Sequence, residues 1–152
     1  MGGLSNLSLA EKVQLHIQRT RPILNVQALF TDGSENFQQP MEPKAGEMVR
    51  FRFRTARDNV EHVYFCTAEE KNEMTIISRT NQFDFYEIQR EMSEEPLEFY
   101  YEIHAGGKIC FFNKKGPAKE KEPFYHYRIT PGFSTPDWAK SAVFYQVYVD
   151  RF

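Results

Sequence analysis

Residues that could bind a metal or perform acid–base chemistry are scattered along this sequence. No histidine has another histidine three or four residues away, and no CxxC pair occurs. Because zinc sites are built from such local pairs, we expect neither a metal site nor another cofactor. The two cysteines, Cys66 and Cys110, stand in separate apolar segments, which favours two reduced, buried thiols. The four histidines are interpreted as ordinary strand or surface residues: His16, His62, His104 and His126.

Adjacent acidic residues do not indicate a catalytic pair. Glu69-Glu70 and Glu94-Glu95 stand next to Lys or Pro in expected turns, where solvation explains them. Acid and base catalysis on a glycosidic bond needs two carboxyl groups held across one sugar. The serines form no GxSxG elbow. We therefore nominate no catalytic residue and expect this chain not to be an enzyme by itself.

Aromatic residues are more numerous than packing requires. The chain has 14 Phe and 8 Tyr but one Trp, so we expect some rings to face solvent. Exposed rings with polar groups around them are suited to stacking against the apolar faces of sugars. Alternation along residues 97–104 leaves Tyr100 outward between two glutamates, and Phe37 stands in an otherwise polar loop. Both are candidate carbohydrate-binding residues, and packing beneath the loop is the alternative for Phe37.

Two further candidates come from pairs of adjacent aromatic residues. If each sheet is buried on one side only, Tyr86 or its neighbour Phe85 faces away from the core. The same holds for Phe112 or its neighbour Phe111. Tyr86 and Phe112 complete the candidate binding set, and packing at a sheet edge or against a linker is the alternative for each.

Length and charge restrict the class of protein. A chain of 152 residues has room for one domain with a hydrophobic core. Its net charge of -2 is spread over 19 basic and 21 acidic residues without a block of either sign, which argues against nucleic acid and membrane partners. No leader peptide and no membrane span is recognisable. We expect a cytoplasmic protein, with secretion open if the sequence has been trimmed.

The first predicted element is a short helix. A capping-box pattern from Ser8 to Glu11 precedes apolar residues at four-residue spacing, and Pro22 ends the run. Apolar residues between 13 and 17 also alternate, so a strand is the competing interpretation.

From residue 23 the pattern changes to period two, which indicates an all-β region. Gly106-Gly107 between two aromatic segments predicts a tight hairpin, because paired glycines supply positive φ angles. Strands spaced this closely without intervening helices favour an immunoglobulin-like antiparallel β-sandwich, with a closed barrel as the alternative. The predicted strands span residues 23–31, 49–55, 60–67, 74–80, 83–89, 97–104, 108–113 and 124–130.

The tail has a different character from the sandwich. Proline and glycine residues between 131 and 136 form a linker, and the segment PDWAKSAVFYQVYVDRF follows. This segment resembles the first barrel strand of α-amylase-family enzymes, in the branch of neopullulanase, cyclomaltodextrinase and maltogenic amylase. Upstream, VRFRFRT, VEHVYF and LEFYYEIHAGGKICFFNKKG follow in the order of that branch's N-terminal module, a family 34 carbohydrate-binding module. The predicted divisions are an extension over 1–22, the sandwich over 23–133, and the linker with the start of the (β/α)8 barrel over 134–152.

The resemblance implies two alternative functions. In this family the catalytic carboxylates lie on later barrel strands, so no residue here inherits their roles. The module either binds α-glucan, such as starch, maltodextrin or cyclodextrin, or serves as an interaction domain that supports dimerisation and shapes the active site. The resemblance therefore implies as partners an α-glucan, the chain's own catalytic barrel and a second copy in a homodimer. The lone Trp138 belongs to the tail, so the module lacks a tryptophan for sugar stacking.

One strand carries a row of like charges. Arg50, Arg52 and Arg54 alternate with apolar residues and therefore share one face of their strand. Such a row requires acidic side chains or a partner surface opposite it. Glu98 and Glu102 have the matching spacing, so we expect them to form an exposed cross-strand ladder with the arginines.

Overall fold

The computed structural model describes residues 7–20 and 22–132, which form one helix, ten strands and two short 3-10 turns. The helix is α1, Leu9–Thr20, and the turns are Val26–Ala28 and Pro123–Tyr125. The strands are β1 Gln38–Gln39, β2 Met48–Ala56, β3 His62–Cys66, β4 Lys71–Glu73, β5 Thr75–Arg79, β6 Phe83–Glu91, β7 Leu97–Ala105, β8 Lys108–Asn113, β9 Gly116–Ala118 and β10 Tyr127–Ile129.

The strands form two antiparallel sheets. The smaller sheet has the order β1-β2-β6-β5, and the larger has the order β4-β3-β7-β8-β9, with β10 paired to the first part of β7. Every paired strand runs antiparallel to its neighbour. The all-β antiparallel sandwich expected from the sequence is confirmed.

Aromatic rings fill the space between the two sheets. From the smaller sheet, Phe51 and Phe53 are almost fully buried. The Phe51 ring lies 4.7 Å from the Phe65 ring, and the Phe53 ring lies 4.9 Å from the Tyr101 ring of the larger sheet. Burial of each such ring stabilises the fold by about 1.5–3 kcal/mol, so these cross-sheet contacts hold the layers together.

Helix α1 packs onto this sandwich rather than standing apart. Its capping box is formed, because the Ser8 N–H donates to the Glu11 carboxylate at 2.7 Å and the Glu11 N–H donates to the Ser8 hydroxyl at 3.2 Å. Val13 and Ile17 are buried in the same core cluster as the inward residues of the strands. The helical interpretation is therefore confirmed over the competing strand.

The strand expected over residues 23–31 is wrong. The segment contains the 3-10 turn and a single bridge between Phe30 and Arg54. Its backbone groups bond to side chains instead of a ladder: the Asn59 carboxamide accepts from the Asn25 N–H at 2.7 Å and donates to the Ile23 carbonyl at 2.8 Å. Side-chain bonding of this kind competes with strand pairing, and alternation along the sequence does not reveal it.

Several observed strands differ from the predicted ones in length or were not predicted. The last strand is shorter than the predicted 124–130, because its start is the second 3-10 turn. Three short strands were not predicted: β1, β4 and β9. The Gly106-Gly107 hairpin is confirmed, with φ angles of 61° and 79°. The tail expected from residue 134 onward lies outside the described residues. Within the described ranges, the structure has no helix long and apolar enough to cross a membrane.

Candidate functional site

The outer face of the smaller sheet carries the arginine row. Val49, Phe51 and Phe53 are 0–1% exposed on the inner face of β2. Because side chains alternate along a strand, Arg52 and Arg54 lie on the opposite face, half-buried. The predicted division of this strand into an apolar face and a basic face is confirmed.

The partners of the arginines differ from the predicted glutamates. Glu98 and Glu102 lie on β7 in the other sheet, since β6 rather than β7 is the neighbour of β2. The Arg52 guanidinium donates instead to the Glu87 carboxylate of β6 at 3.2 Å. Arg50 donates to the side-chain carbonyl of Gln39 on β1. Of the predicted ladder of ion pairs, one cross-strand pair forms, between Arg52 and Glu87.

Arg54 joins aromatic rings on the same face. Its guanidinium carbon lies 5.1 Å from the centre of the Phe30 ring and 4.2 Å from that of Phe83, and its Nε donates to the Ala28 carbonyl at 3.0 Å. Cation–π contacts of this type stabilise by about 0.5–2 kcal/mol each. Arg54 thus contacts and positions two rings, Phe30 and Phe83, that are far apart in the sequence.

Two more rings extend this row. Phe37 lies edge-on to Phe30 with ring centres 5.2 Å apart, and Phe85 lies 6.4 Å from Phe83. We call the four rings and the guanidinium between them the aromatic strip: Phe37, Phe30, Arg54, Phe83 and Phe85. Phe30 is 36% exposed, and the other three rings are half-buried. Each ring therefore has surface available to a ligand.

A polar cleft adjoins the strip at Phe37. It has a volume of about 80 Å³ and is lined by carboxylate, carboxamide and guanidinium groups as well as the Phe37 ring. The polar lining residues are Glu35, Asn36, Gln38, Gln39, Arg50, Arg52 and Glu87. The Arg52 N–H donates to the Phe37 carbonyl at 2.9 Å, so the loop that carries Phe37 is anchored to β2. A ring next to several hydrogen-bonding groups has the composition of a sugar-binding surface.

Of the four predicted candidate residues, only Phe37 lies in this site. Tyr100 is on the outer face of the larger sheet as expected, but it is 7% exposed, because the His126 ring stacks on it with ring centres 4.5 Å apart. Burial raises the pKa of its phenol, and a hydrogen bond with Lys121 lowers it to a smaller degree.

The outward orientation expected for Tyr86 and Phe112 is wrong. Tyr86 is 6% exposed and Phe112 is 5% exposed, and both belong to the core between the sheets. Burial raises the pKa of Tyr86 well above its ordinary value. Their neighbours Phe85 and Phe111 are the half-buried members of the two pairs. Phe85 therefore replaces Tyr86 on the outer face of the smaller sheet.

Sequence reasoning also missed two members of the strip. Phe30 lies within residues 23–31, where the predicted strand does not form, and Phe83 is the first residue of β6. Phe83 stands two residues before Phe85, and that spacing places both rings on one face of a strand. Phe30 and Arg54 are far apart in the sequence, so local alternation does not predict that they meet.

Comparison with known proteins identifies the family. The family profile "Alpha amylase, N-terminal ig-like domain" matches residues 25–130. This chain belongs to the α-amylase N-terminal Ig-like domain family. The matched residues include all ten strands of this Ig-like domain, whereas α1 precedes them.

Individual relatives agree with the family assignment. The chain is 25% identical over 142 residues to a cyclomaltodextrinase of Thermoanaerobacter pseudethanolicus, covering 83% of this chain and 24% of that protein. It is 22% identical over 142 residues to neopullulanase 2 of Thermoactinomyces vulgaris, covering 84% and 24%. A solved structure of a cyclomaltodextrinase superposes with a TM-score of 0.60 at 20% identity, over 77% of this chain and 22% of that one. The chain spans about a quarter of the length of the curated relatives it matches.

The larger sheet of the Ig-like domain also carries titratable groups. On its outer face, the Glu102 carboxylate lies 3.0 Å from Nε2 of His104 and 3.4 Å from Nζ of Lys71. His62 Nδ1 lies 2.7 Å from the Glu73 carboxylate. Among the described residues there is no group of three or more His, Cys, Asp or Glu that could hold a metal ion. Glu102 thus bonds to His104 on its own strand and to Lys71 of β4, whereas His62 and Glu73 join β3 to β4.

Proposed function

We propose that this chain is a non-catalytic N-terminal module of an α-amylase-family glycoside hydrolase, and that it binds α-glucan on the outer face of its smaller sheet. The observation that carries the proposal is the continuous aromatic strip with a polar cleft at one end. The membership of the family and the names of the relatives, cyclomaltodextrinase and neopullulanase, support a glucan as the ligand.

The chemistry of the strip suits a glucan chain. Sugar rings have apolar C–H faces, which stack on exposed aromatic rings, and hydroxyl groups, which need donors and acceptors nearby. The strip supplies rings in sequence, and the cleft supplies carboxylate, carboxamide and guanidinium groups beside Phe37. Starch, maltodextrin and cyclodextrin all present such repeated faces, so we propose α-glucan as the ligand class.

A titration tests the binding proposal. Maltoheptaose or β-cyclodextrin is added to isotopically labelled protein while backbone amide shifts are recorded. We expect saturable shifts at the strip and the cleft. Phe37→Ala and Phe83→Ala should each weaken binding about tenfold, equivalent to about 1.4 kcal/mol.

A matched control uses another exposed ring. Phe124 is 86% exposed and follows β9 of the larger sheet, outside the strip. Phe124→Ala should leave the glucan affinity unchanged. Absence of saturable shifts at millimolar maltoheptaose, or equal losses from Phe124→Ala and Phe83→Ala, would reject the strip as the binding site.

The proposal includes the absence of hydrolysis by this chain. Cleavage of a glycosidic bond requires two carboxyl groups flanking it, and the resemblance implies that the family's catalytic residues lie on barrel strands after this domain. We expect no release of reducing sugar from starch, pullulan or cyclodextrin above a boiled control.

A second candidate function is an interaction domain that supports dimerisation or contacts a catalytic barrel. The observation that favours it is Phe124, whose ring protrudes from the 3-10 turn. The turn is braced by the Lys115–Glu122 ion pair at 3.1 Å and by the Lys115 ammonium over the Tyr125 ring at 4.5 Å. Aromatic residues of this kind often dominate the binding energy of protein interfaces. Sedimentation of the proposed full-length hydrolase, with and without Phe124→Ala, tests this function. If Phe124 lies in an interface, the variant should assemble more weakly.

A further inference from the structure

An apolar groove lies on the domain away from the aromatic strip. It runs between residues 22–26 and the strands β8 and β9, has a volume of about 630 Å³, and is lined largely by aliphatic side chains. We call it the aliphatic groove and define it by Ile23, Leu24, Val26, Ile109, Pro117 and Ala118. Ile23 is 92% exposed, Ile109 48% and Val26 42%. Three branched aliphatic side chains are therefore exposed around one groove.

The composition of the groove differs from that of a sugar site. None of its lining residues is aromatic. Lys108 and Lys119 lie at the groove, both are exposed, and neither pairs with an acidic side chain among the described residues. An aliphatic floor with two exposed ammonium groups is complementary to an alkyl chain that ends in an anion. The volume also falls within the range of about 300–1,000 Å³ that is typical of small-ligand sites.

Other occupants fit the groove less well. Strand addition alongside β9 is hindered because β9 contains Pro117, which lacks an N–H. A twofold contact between two copies of the groove would bring the lysines of both copies together, which like-charge repulsion disfavours.

Gly132 lies far from the groove. The Gly132 N–H donates to the Pro43 carbonyl at 2.9 Å, and the preceding strand β10 pairs Ile129 with Leu97 at the start of β7. The groove contains Ala105 at the other end of β7, roughly 26 Å away at the usual rise per residue of a strand. Gly132 and β10 thus lie at the opposite end of the sandwich from the groove.

We infer that the aliphatic groove binds a single-chain anionic amphiphile, of the class of free fatty-acid anions. The alkyl chain lies along Ile23, Val26 and Ile109, and the carboxylate faces Lys108 and Lys119. This site is independent of the proposed glucan site, so maltoheptaose should not compete with the amphiphile.

A chain-length series tests the inference with the 152-residue protein. Hexanoate, octanoate and decanoate are titrated below their micellar concentrations, and amide shifts of β8, β9 and residues 22–26 are followed. We expect affinity to rise about fourfold per added methylene. Decanoate should bind more tightly than decanol, and decyltrimethylammonium should bind most weakly. The charge-reversed double variant Lys108→Glu with Lys119→Glu should weaken decanoate about three- to tenfold and remove its advantage over decanol.

Two serine variants distinguish binding in the aliphatic groove from nonspecific binding to other exposed apolar side chains. Ile109→Ser should weaken both decanoate and decanol. Ile77→Ser is the matched control, because Ile77 is 43% exposed on β5 of the other sheet, and it should change neither. Because both side chains are exposed, both variants should fold.

Several results would overturn the inference. These are the absence of saturable decanoate binding, equal binding of the cationic amphiphile, or unchanged decanoate affinity in Ile109→Ser. Self-association that Ile109→Ser abolishes, without decanoate binding, would assign the groove to a second copy. Binding to phosphatidylglycerol vesicles without binding of free decanoate would assign it to a membrane surface.

Discussion

Arg52 and Glu87 lie directly opposite each other where β2 pairs with β6, and the guanidinium donates to the carboxylate at 3.2 Å. The Arg52 side chain is 36% exposed and that of Glu87 is 14% exposed. The pair therefore lies at the surface of the smaller sheet, at the edge of the polar cleft. It links the strand that carries the arginine row to the strand that carries Phe83 and Phe85.

Loss of this pair should cost little stability. Partly exposed ion pairs stabilise proteins by about 0–1 kcal/mol, because water and salt screen them. We expect Arg52→Ala to lower the free energy of unfolding by less than about 1 kcal/mol in urea melts. A larger loss would mean that the guanidinium is held in a more enclosed environment than its exposure indicates.

Asp84 forms a different kind of ion pair. Its side chain is 1% exposed, and it accepts from Arg79 Nε at 2.6 Å and from the Asp58 N–H at 3.0 Å. Arg79→Ala should lower the free energy of unfolding by about 3–5 kcal/mol, because it leaves a buried carboxylate without its cation. Urea denaturation measures this loss. Adding Asp84→Asn to Arg79→Ala should recover part of it.

An exposed arginine provides the control for the Arg79–Asp84 ion pair. Arg57 lies near the same Asp58, at 3.7 Å, with 44% of its side chain exposed. Arg57→Ala should change stability by less than about 1 kcal/mol. Equal effects of the two arginine substitutions would contradict a special role for burial at Asp84.

The same aspartate explains a limit of sequence-based prediction. Along β2, apolar and basic residues alternate strictly, so the inward face was predicted correctly. Along β6, the inward residues are Asp84, Tyr86 and Ile88, and the outward ones begin with Phe83 and Phe85. A buried aspartate on the inner face and two phenylalanines on the outer face reverse the usual pattern. Alternation gave the period of this strand but not which face is buried.

Strand pairing set a second limit. The sequence predicts acidic side chains or a partner surface opposite the arginine row, with Glu98 and Glu102 as the acids. In the structure Arg52 pairs with an acid, but this acid is Glu87. Which strand lies beside β2 depends on contacts between residues far apart in the chain. For the same reason, the sequence indicated Phe37 as a candidate but not its contact with Phe30, or that of Phe30 with Arg54.

The carboxylate of Glu102 should make stability depend on pH. Burial alone would raise its pKa, but the hydrogen bond with His104 and the charge of Lys71 outweigh burial, so its pKa lies below the ordinary 4.5. Since folding lowers this pKa, the stabilisation is complete above 4.5 and is lost as pH falls through the folded value. Unfolding free energies of the wild type and Glu102→Gln should converge below pH 4.5. Parallel curves from pH 7 to pH 3 would contradict this assignment.

The two cysteines should differ in reactivity. Cys66 is 1% exposed, and burial raises its pKa to about 12. Cys110 is half-buried, and burial raises its pKa as well. Because the thiolate is the reactive form, both should react slowly with a disulfide reagent at pH 8, and Cys110 should react first. Mass spectrometry of partly modified protein identifies the order, and Cys110→Ser should leave a native protein with almost no reactive thiol.

The last prediction concerns whether α1 belongs to the folded domain. The family match begins at residue 25, and the sequence suggested a separate extension over residues 1–22. However, Ile17 is 3% exposed in the same core cluster as the sandwich residues. Ile17→Ala should therefore lower the free energy of unfolding by about 2–5 kcal/mol, because it leaves a cavity in that core. Leu15→Ala is the matched control, since Leu15 is 36% exposed on the same helix, and its cost should stay within about 0.5 kcal/mol. Denaturant melts followed by the backbone amide resonances of β2 and β7 measure both variants. If Ile17→Ala left this transition unchanged, α1 would be an appendage whose unfolding is independent of the sandwich. A single transition shifted to lower denaturant would show that the helix and the sheets unfold as one unit.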